Sequence, residues 1–408
     1  MQKFKSTPRS ASWLLSGSML VASCTFVSCS RETVAPVSSA SPTSTVSDSR
    51  ADDLISGQYI VVLKDDAVAT TATDTYADKV GKVKAAAQGL LRGRGLRPEA
   101  VGYAYGHALK GFSARLTAPE AAALARDARV AYIEQDKIIS LGKPVRGGTT
   151  PPPTTSTQTI PYGISRVGYG DGTGKTAWII DTGIDLTHPD LNVDVNRSRS
   201  FITDTSPNDG NGHGSHVAGT IGAKNNSIGV LGVAANATVV AVRVLDASGS
   251  GTNSGVIAGV DYVGANGRAG DVANMSLGGG ASQALDDAVL RASQSGVLFA
   301  LAAGNSSANA SLTSPARVNG PNVFTISAMD NTDTWASFSN FGNPPVDYCM
   351  PGVSINSTWM AGGYNTISGT SMATPHMAGV LLLRGTAFTT SGVVRNDPDG
   401  SADPIAHL

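Results

Sequence analysis

Five uninterrupted apolar runs, at 176–181, 238–245, 272–277, 297–303 and 323–328, most constrain what this chain can fold into. A strand with one wet face alternates apolar and polar residues. These runs do not, so both of their faces must be covered. Stretches of helical spacing near 213–223, 253–264 and 283–295 lie between them. Such alternation predicts a doubly wound α/β layer on a mostly parallel sheet, with its site at the carboxyl ends of strands. Asp181 and Asn305 both stand at such ends.

Ahead of this layer the chain changes character several times. Lys3, Lys5 and Arg9 precede an apolar, Ser-rich stretch from Ala11 to Phe26, the pattern of an export signal over 1–29. Val21-Ala22-Ser23-Cys24 resembles a bacterial lipobox, and Phe26-Val27-Ser28-Cys29 is a second candidate, so a lipid anchor on either cysteine is one expected fate. Residues 30–53 form a Ser/Thr/Pro-rich spacer. From 54 to 142 the order is strand, helix, strand, strand, helix, strand, which predicts a small α+β, ferredoxin-like sandwich. Residues 143–158, with Gly147-Gly148 and Pro151-Pro152-Pro153, have no core-forming content and read as a linker. The α/β layer then occupies 159–408.

Charge divides the chain in the same place. Residues 1–158 carry 19 Lys and Arg against 13 Asp and Glu, and residues 159–408 carry 11 against 18. A basic piece and an acidic piece in one chain suggest complementary partners, and neither is extreme enough for a nucleic-acid binder. The cysteines are Cys24, Cys29 and Cys349, so the α/β region has one thiol and no disulfide framework.

Three motifs carry chemistry. Gly369-Thr370-Ser371-Met372-Ala373-Thr374-Pro375-His376 puts a serine where an apolar run starts to look helical. Alone, that serine is better read as a helix cap. Upstream, however, Asp181-Thr182-Gly183-Ile184-Asp185 closes one apolar strand, and Asp209-Gly210-Asn211-Gly212-His213-Gly214-Ser215-His216 follows. A base and a carboxylate are what a serine needs to become a nucleophile. The order Asp, His, Ser is that of subtilisin and not of chymotrypsin or the α/β-hydrolases. Gly369-Thr370-Ser371-Met372-Ala373 also lacks the last glycine of the hydrolase elbow, which counts against an esterase of another fold.

On these motifs the chain resembles the subtilisin-like serine proteases, and within them the proteinase K-like branch, from about Ile160 to Leu383. The resemblance implies a triad of Asp181, His213 and Ser371, with Asn305 as oxyanion-hole donor. It also implies two edge segments, Gly249-Ser250-Gly251 and Ser276-Leu277-Gly278, that sandwich an extended peptide. Ala302 and Gly304 would line a roomy, uncharged pocket favouring apolar or aromatic residues before the scissile bond. Asn253 stands where the branch carries a tyrosine, which puts a distal apolar subsite in question. No cofactor is implied for catalysis. Structural calcium is, through the carbonyls of Pro321 and Val323 and the carboxylate of Asp330. Residues 54–142 resemble the family's propeptide, an intramolecular inhibitor removed by cleavage within 141–158. The expected protein is thus an exported, autoprocessed, monomeric endopeptidase acting on peptides and proteins, outside the cell or at its surface. An inactive, peptide-binding homologue is the rival reading, and four filled catalytic positions weigh against it.

Overall fold

The computed structural model describes residues 53–142, 157–203 and 205–408. The expected signal, the spacer to 52, the lipobox cysteines and residues 143–156 of the linker lie outside the described residues. The described part opens with β1 (Leu54–Leu63), α1 (Tyr76–Arg92), β2 (Val101–Tyr105), β3 (Gly111–Arg115), α2 (Ala118–Leu124) and β4 (Val130–Ser140). The four strands pair antiparallel in the order β4-β1-β3-β2, the split sandwich that the element order predicts. Both helices start on a threonine that bonds reciprocally with an acid three residues on, Thr75 with Asp78 and Thr117 with Glu120.

There follow β5 (Thr176–Asp181), α3 (His213–Gly222), β6 (Thr238–Arg243), β7 (Ser250–Thr252), α4 (Asn253–Asn266), β8 (Val272–Met275), β9 (Gly278–Gly280), α5 (Gln283–Ser293), β10 (Leu298–Ala302), β11 (Val323–Met329), β12 (Val346–Pro351) and α6 (Thr370–Arg384). The main sheet runs β12-β11-β10-β8-β5-β6, every pair parallel. Along β5, Ala177 and Ile179 pack on one face with α3 and α6, whereas Trp178 and Ile180 pack on the other with α4 and α5. That is why the strand is apolar at every position. β5 lies between β6 and β8, so the chain winds away from it in both directions and opens a crevice at its carboxyl end.

α6 is apolar all round and accordingly central, buried from Thr370 to Leu382. After it comes an antiparallel hairpin, β13 (Thr389–Val393) with β14 (Pro404–His407), whose Ile405 and Ala406 are fully buried. Two features of the α+β unit bear on the site. Its sheet lies against α4 and α5, with Ile60, Tyr105 and Leu109 in the same apolar cluster as Val256, Val260 and Leu285. β4 then runs on past its own unit into the crevice.

Candidate active site

Asp181 ends β5 and is wholly buried. His213 opens α3, and its Nδ1 lies 2.9 and 3.0 Å from the two oxygens of Asp181. The backbone N–H of Thr182 donates to the same carboxylate at 2.7 Å. A carboxylate at Nδ1 holds that nitrogen as the donor and leaves the Nε2 lone pair free to accept a proton.

The start of α3 is itself braced. Asp209 accepts from the backbone N–H groups of Asn211, Gly212 and Ser215, and from the hydroxyls of Thr182 and Ser215. A buried carboxylate here satisfies orphan donors of the helix and favours its positive end. Sequence reasoning passed over this residue. Its signal was an acid four residues before the histidine at a glycine-led helix start.

Ser371 is the second residue of α6 and is 3% exposed. The helix begins on Gly369 with no side-chain cap, so the serine does not cap its own helix. Its Oγ donates instead to the carbonyl of Ser276 at 3.2 Å. In return the Ser276 hydroxyl donates to the Ser371 carbonyl at 2.8 Å. The reason lies in Pro375, four residues on, which has no N–H to complete the helix bond to that carbonyl. Ser276 supplies the missing donor and ties one edge segment to the serine.

Asn305 follows β10. Its Oδ1 accepts from both the backbone N–H and the hydroxyl of Thr370 at 2.9 Å. With Oδ1 so anchored, Nδ2 is turned toward the crevice. A Cβ built on Gly369 would stand 3.3 Å from Nδ2, and one on Gly142 3.7 Å. Buried Asn340 steadies this loop, donating to the Ala303 carbonyl and accepting from Ser306 and Ala308. Neither Thr370 nor Asn340 stood out in sequence, because their partners are some 30 to 65 residues away.

Both expected edge segments flank one strand, and that strand is the end of β4. Ser140 pairs with Ser250 and Gly278, and Ile139 with Gly251 and Gly279. The Leu141 N–H donates to the Gly249 carbonyl at 3.1 Å, and a Cβ on Gly249 would come within 2.7 Å of the Leu141 side chain. Gly142 follows beside Asn305. Ile139 is 1% exposed in a cluster with Leu245, Val256 and Leu277. Ala302 and Gly304 lie at the same strand end as Asn305.

His216 and His376 are buried, and burial pushes their imidazoles down to about 3 and about 4, so both stay neutral. They bond to the Ile355 and Met372 carbonyls, in keeping with packing roles. His188 is also buried, against the Gly363 carbonyl. Asp185 accepts from Thr187 in a local turn and also from the distant Gly362 N–H at 2.8 Å. Asp190 does more than form a turn, reaching Asn226, Val230 and Tyr364. Cys349 is buried, and its thiol is pushed well above its ordinary value by desolvation.

The metal expectation needs correction. Pro321 and Val323 precede and begin β11, while Asp330 follows its other end. Seven residues of extended strand separate Val323 from Asp330 by about 23 Å, far beyond a shared coordination shell of 2.3–2.6 Å bonds. Asp330 is instead bonded to Thr332 and Thr334 in its own turn. The carboxylate beside the beginning of β11 is Asp347, which accepts from the Thr325 N–H at 2.8 Å and is pushed up to about 6 by burial. Among the described residues no group of three or more His, Cys, Asp or Glu is placed to hold a metal ion.

Residues 172–390 match the subtilase family, and residues 58–142 match peptidase inhibitor I9. The alkaline serine exoprotease A of Vibrio alginolyticus is 44% identical over 346 residues, which cover 81% of this chain and 61% of that protein. The extracellular serine proteinase of Thermus sp. (strain Rt41A) is 38% identical over 382 residues, covering 92% and 89%. A solved cold adapted subtilisin-like serine proteinase is similar with a TM-score of 0.54 at 45% identity, covering 60% of this chain and 97% of that one. The chain belongs to the subtilase family of serine proteases, with an inhibitor region of the I9 type ahead of its peptidase region.

Proposed function

We propose that the protein is an exported endopeptidase that cuts its own propeptide away and then hydrolyses other peptides through Asp181, His213 and Ser371. One observation carries this reading. The chain from Ile138 to Gly142 lies between the two edge segments and at Gly142 comes beside Asn305, which is bonded to Thr370, the neighbour of Ser371.

In the reaction the Ser371 hydroxyl turns from the Ser276 carbonyl to His213 Nε2, which takes its proton as Oγ attacks the peptide carbonyl. Asp181 stabilises the imidazolium through Nδ1. Charge developing on the carbonyl oxygen is met by Asn305 Nδ2 and the Ser371 N–H, a free donor of the first turn of α6. His213 then protonates the leaving amine, the acyl group stays on Ser371, and a water activated by His213 releases it.

The register of β4 and the position of Gly142 beside Asn305 support the Gly142 carbonyl as the one attacked, so this reading puts the first cut between Gly142 and Lys143, at the near edge of the expected 141–158 window. Burial of Ile139 supports an apolar preference four residues before the cut, despite Asn253. Ala302 and Gly304 leave room for an apolar or aromatic residue directly before it, by resemblance to the family. The processed enzyme acts as a monomer outside the cell or at its surface. A lipid on Cys24 or Cys29 would stay with the propeptide piece. No helix of the described residues is long and apolar enough to cross a membrane.

The test is a phosphonate or sulfonyl fluoride probe with N-terminal sequencing of the recovered protein. The reading predicts label on Ser371 and a new terminus at Lys143. Full-length protein that takes no label, or a Ser371→Ala chain that is still processed when purified alone, refutes it.

A further inference from the structure

The strand in the crevice continues away from it, and there it meets groups that peptide-bond chemistry does not use. Glu134, eight residues before Gly142, accepts from the N–H groups of Gln283 at 3.0 Å and Ala284 at 3.4 Å, and from the Ser282 hydroxyl. Those donors are the cap and first turn of α5. Asp136, six residues before Gly142 and wholly buried, accepts from the Ser254 N–H at 3.1 Å in the first turn of α4, and from Gln58 of β1 at 2.6 Å. Next to Ser254, Asn253 is 1% exposed with neither amide atom hydrogen-bonded, so polar capacity beside this strand is unused.

The donors belong to the peptidase region and the carboxylates to the inhibitor region. When the inhibitor leaves, both helix ends lose their anions while keeping orphan N–H groups and about half a positive charge each. Bulk charge gives no reason to expect acidic ligands here, since residues 159–408 carry 11 basic against 18 acidic side chains. Any preference for them must therefore be local and fixed in register.

We propose that the processed enzyme holds two acidic-residue subsites, at the starts of α4 and α5. They take carboxylates six and eight residues before the residue whose carbonyl is attacked. The ligand class is an extended peptide segment, substrate or inhibitor, with acids at those two positions. This rests on the peptidase reading above. Contacts so far from the reacting atoms are made equally in ground and transition states, so they lower KM and leave kcat unchanged.

The processed protein, freed of its propeptide, is given four chromogenic anilides that all end at Gly142. One is the strand 132–142. The second carries Glu134→Gln and Asp136→Asn. The third keeps its net charge but exchanges Glu134 with Gln135 and Asp136 with Lys137. The fourth is 138–142, which stops short of the acids. A charge-assisted hydrogen bond of this kind contributes about tenfold, so KM should rise about tenfold per lost carboxylate in the second and third, with kcat unchanged. The rise should shrink at high salt. If the short anilide is cut and the three long ones share one KM, the subsites are overturned and the peptidase reading stands. If none of the four is cut, both fall.

Discussion

At the scale of single residues, the site depends on donors and acceptors whose remaining bonds are already filled. Asn305 can aim Nδ2 only because Thr370 occupies Oδ1 twice. Asn305→Ala should lower kcat by on the order of 10²–10³, the usual loss for one oxyanion donor, with KM little changed. Thr370→Val tests the anchor separately. It removes one of the two bonds to Oδ1 and the acceptor for the Gly304 N–H at 3.2 Å, and keeps the side-chain shape. A fall in kcat of about tenfold, one charge-free hydrogen bond of positioning, is expected. Steady-state kinetics on one peptide substrate read both variants. Unchanged kcat in Asn305→Ala would remove that amide from the mechanism.

At the scale of elements, α6 shows how a local defect joins distant parts. Pro375 denies the Ser371 carbonyl its helix partner, and Ser276 restores one from the edge segment. Ser276→Ala would leave that carbonyl buried and unbonded, a cost of about 1–3 kcal/mol. Both a lower Tm and a lower kcat should follow. Loss of stability alone, with kcat intact, would make Ser276 a purely structural strut. The elements themselves were legible in sequence wherever one physical signal dominated. Continuous apolar runs gave β5, β6, β8, β10 and β11, and the motifs pointed to Asp181 and His213, whose side chains meet at 2.9 Å, and to Ser371. What was not legible came from partners remote in sequence, such as Asp209 with Thr182 or Asn340 with Ala303. The Asp330 error has another cause. Matching ligand spacing along the chain ignored that an extended strand lies between, and strand length alone excludes the site. The hairpin after α6 was likewise unforeseen, because Thr389–Val393 has little apolar content to announce a strand.

At the scale of the whole molecule, the inhibitor region is held by carboxylates in both directions across one interface. Glu134 and Asp136 reach helix starts of the peptidase region, and Asp261 of α4 reaches back. Asp261 accepts from the N–H groups of Gly106, His107 and Ala108 at 2.9, 2.8 and 2.6 Å. It is wholly buried beside Tyr76, and desolvation pushes its carboxyl up to about 6 despite those backbone donors. Burial also pushes Glu134 above its ordinary value. Once the inhibitor leaves, both groups meet water and return toward ordinary carboxylate values. The complex therefore binds more protons than its separated parts between about pH 4 and 6. By linkage, its affinity is highest at the acid end of that window, falls as pH rises through it, and is level above about 6. Inhibition of the processed enzyme by the separate inhibitor region, measured from pH 4.5 to 8, should show Ki rising about tenfold or more up to pH 6 and then flat. Asp261→Asn should raise Ki throughout, because an amide satisfies the three N–H groups less well, and should flatten much of the slope. A slope unchanged in Asp261→Asn would assign the pH dependence to other groups. A Ki that falls as pH rises would reverse the argument, since it would mean that these carboxylates titrate below their free values when the two regions meet.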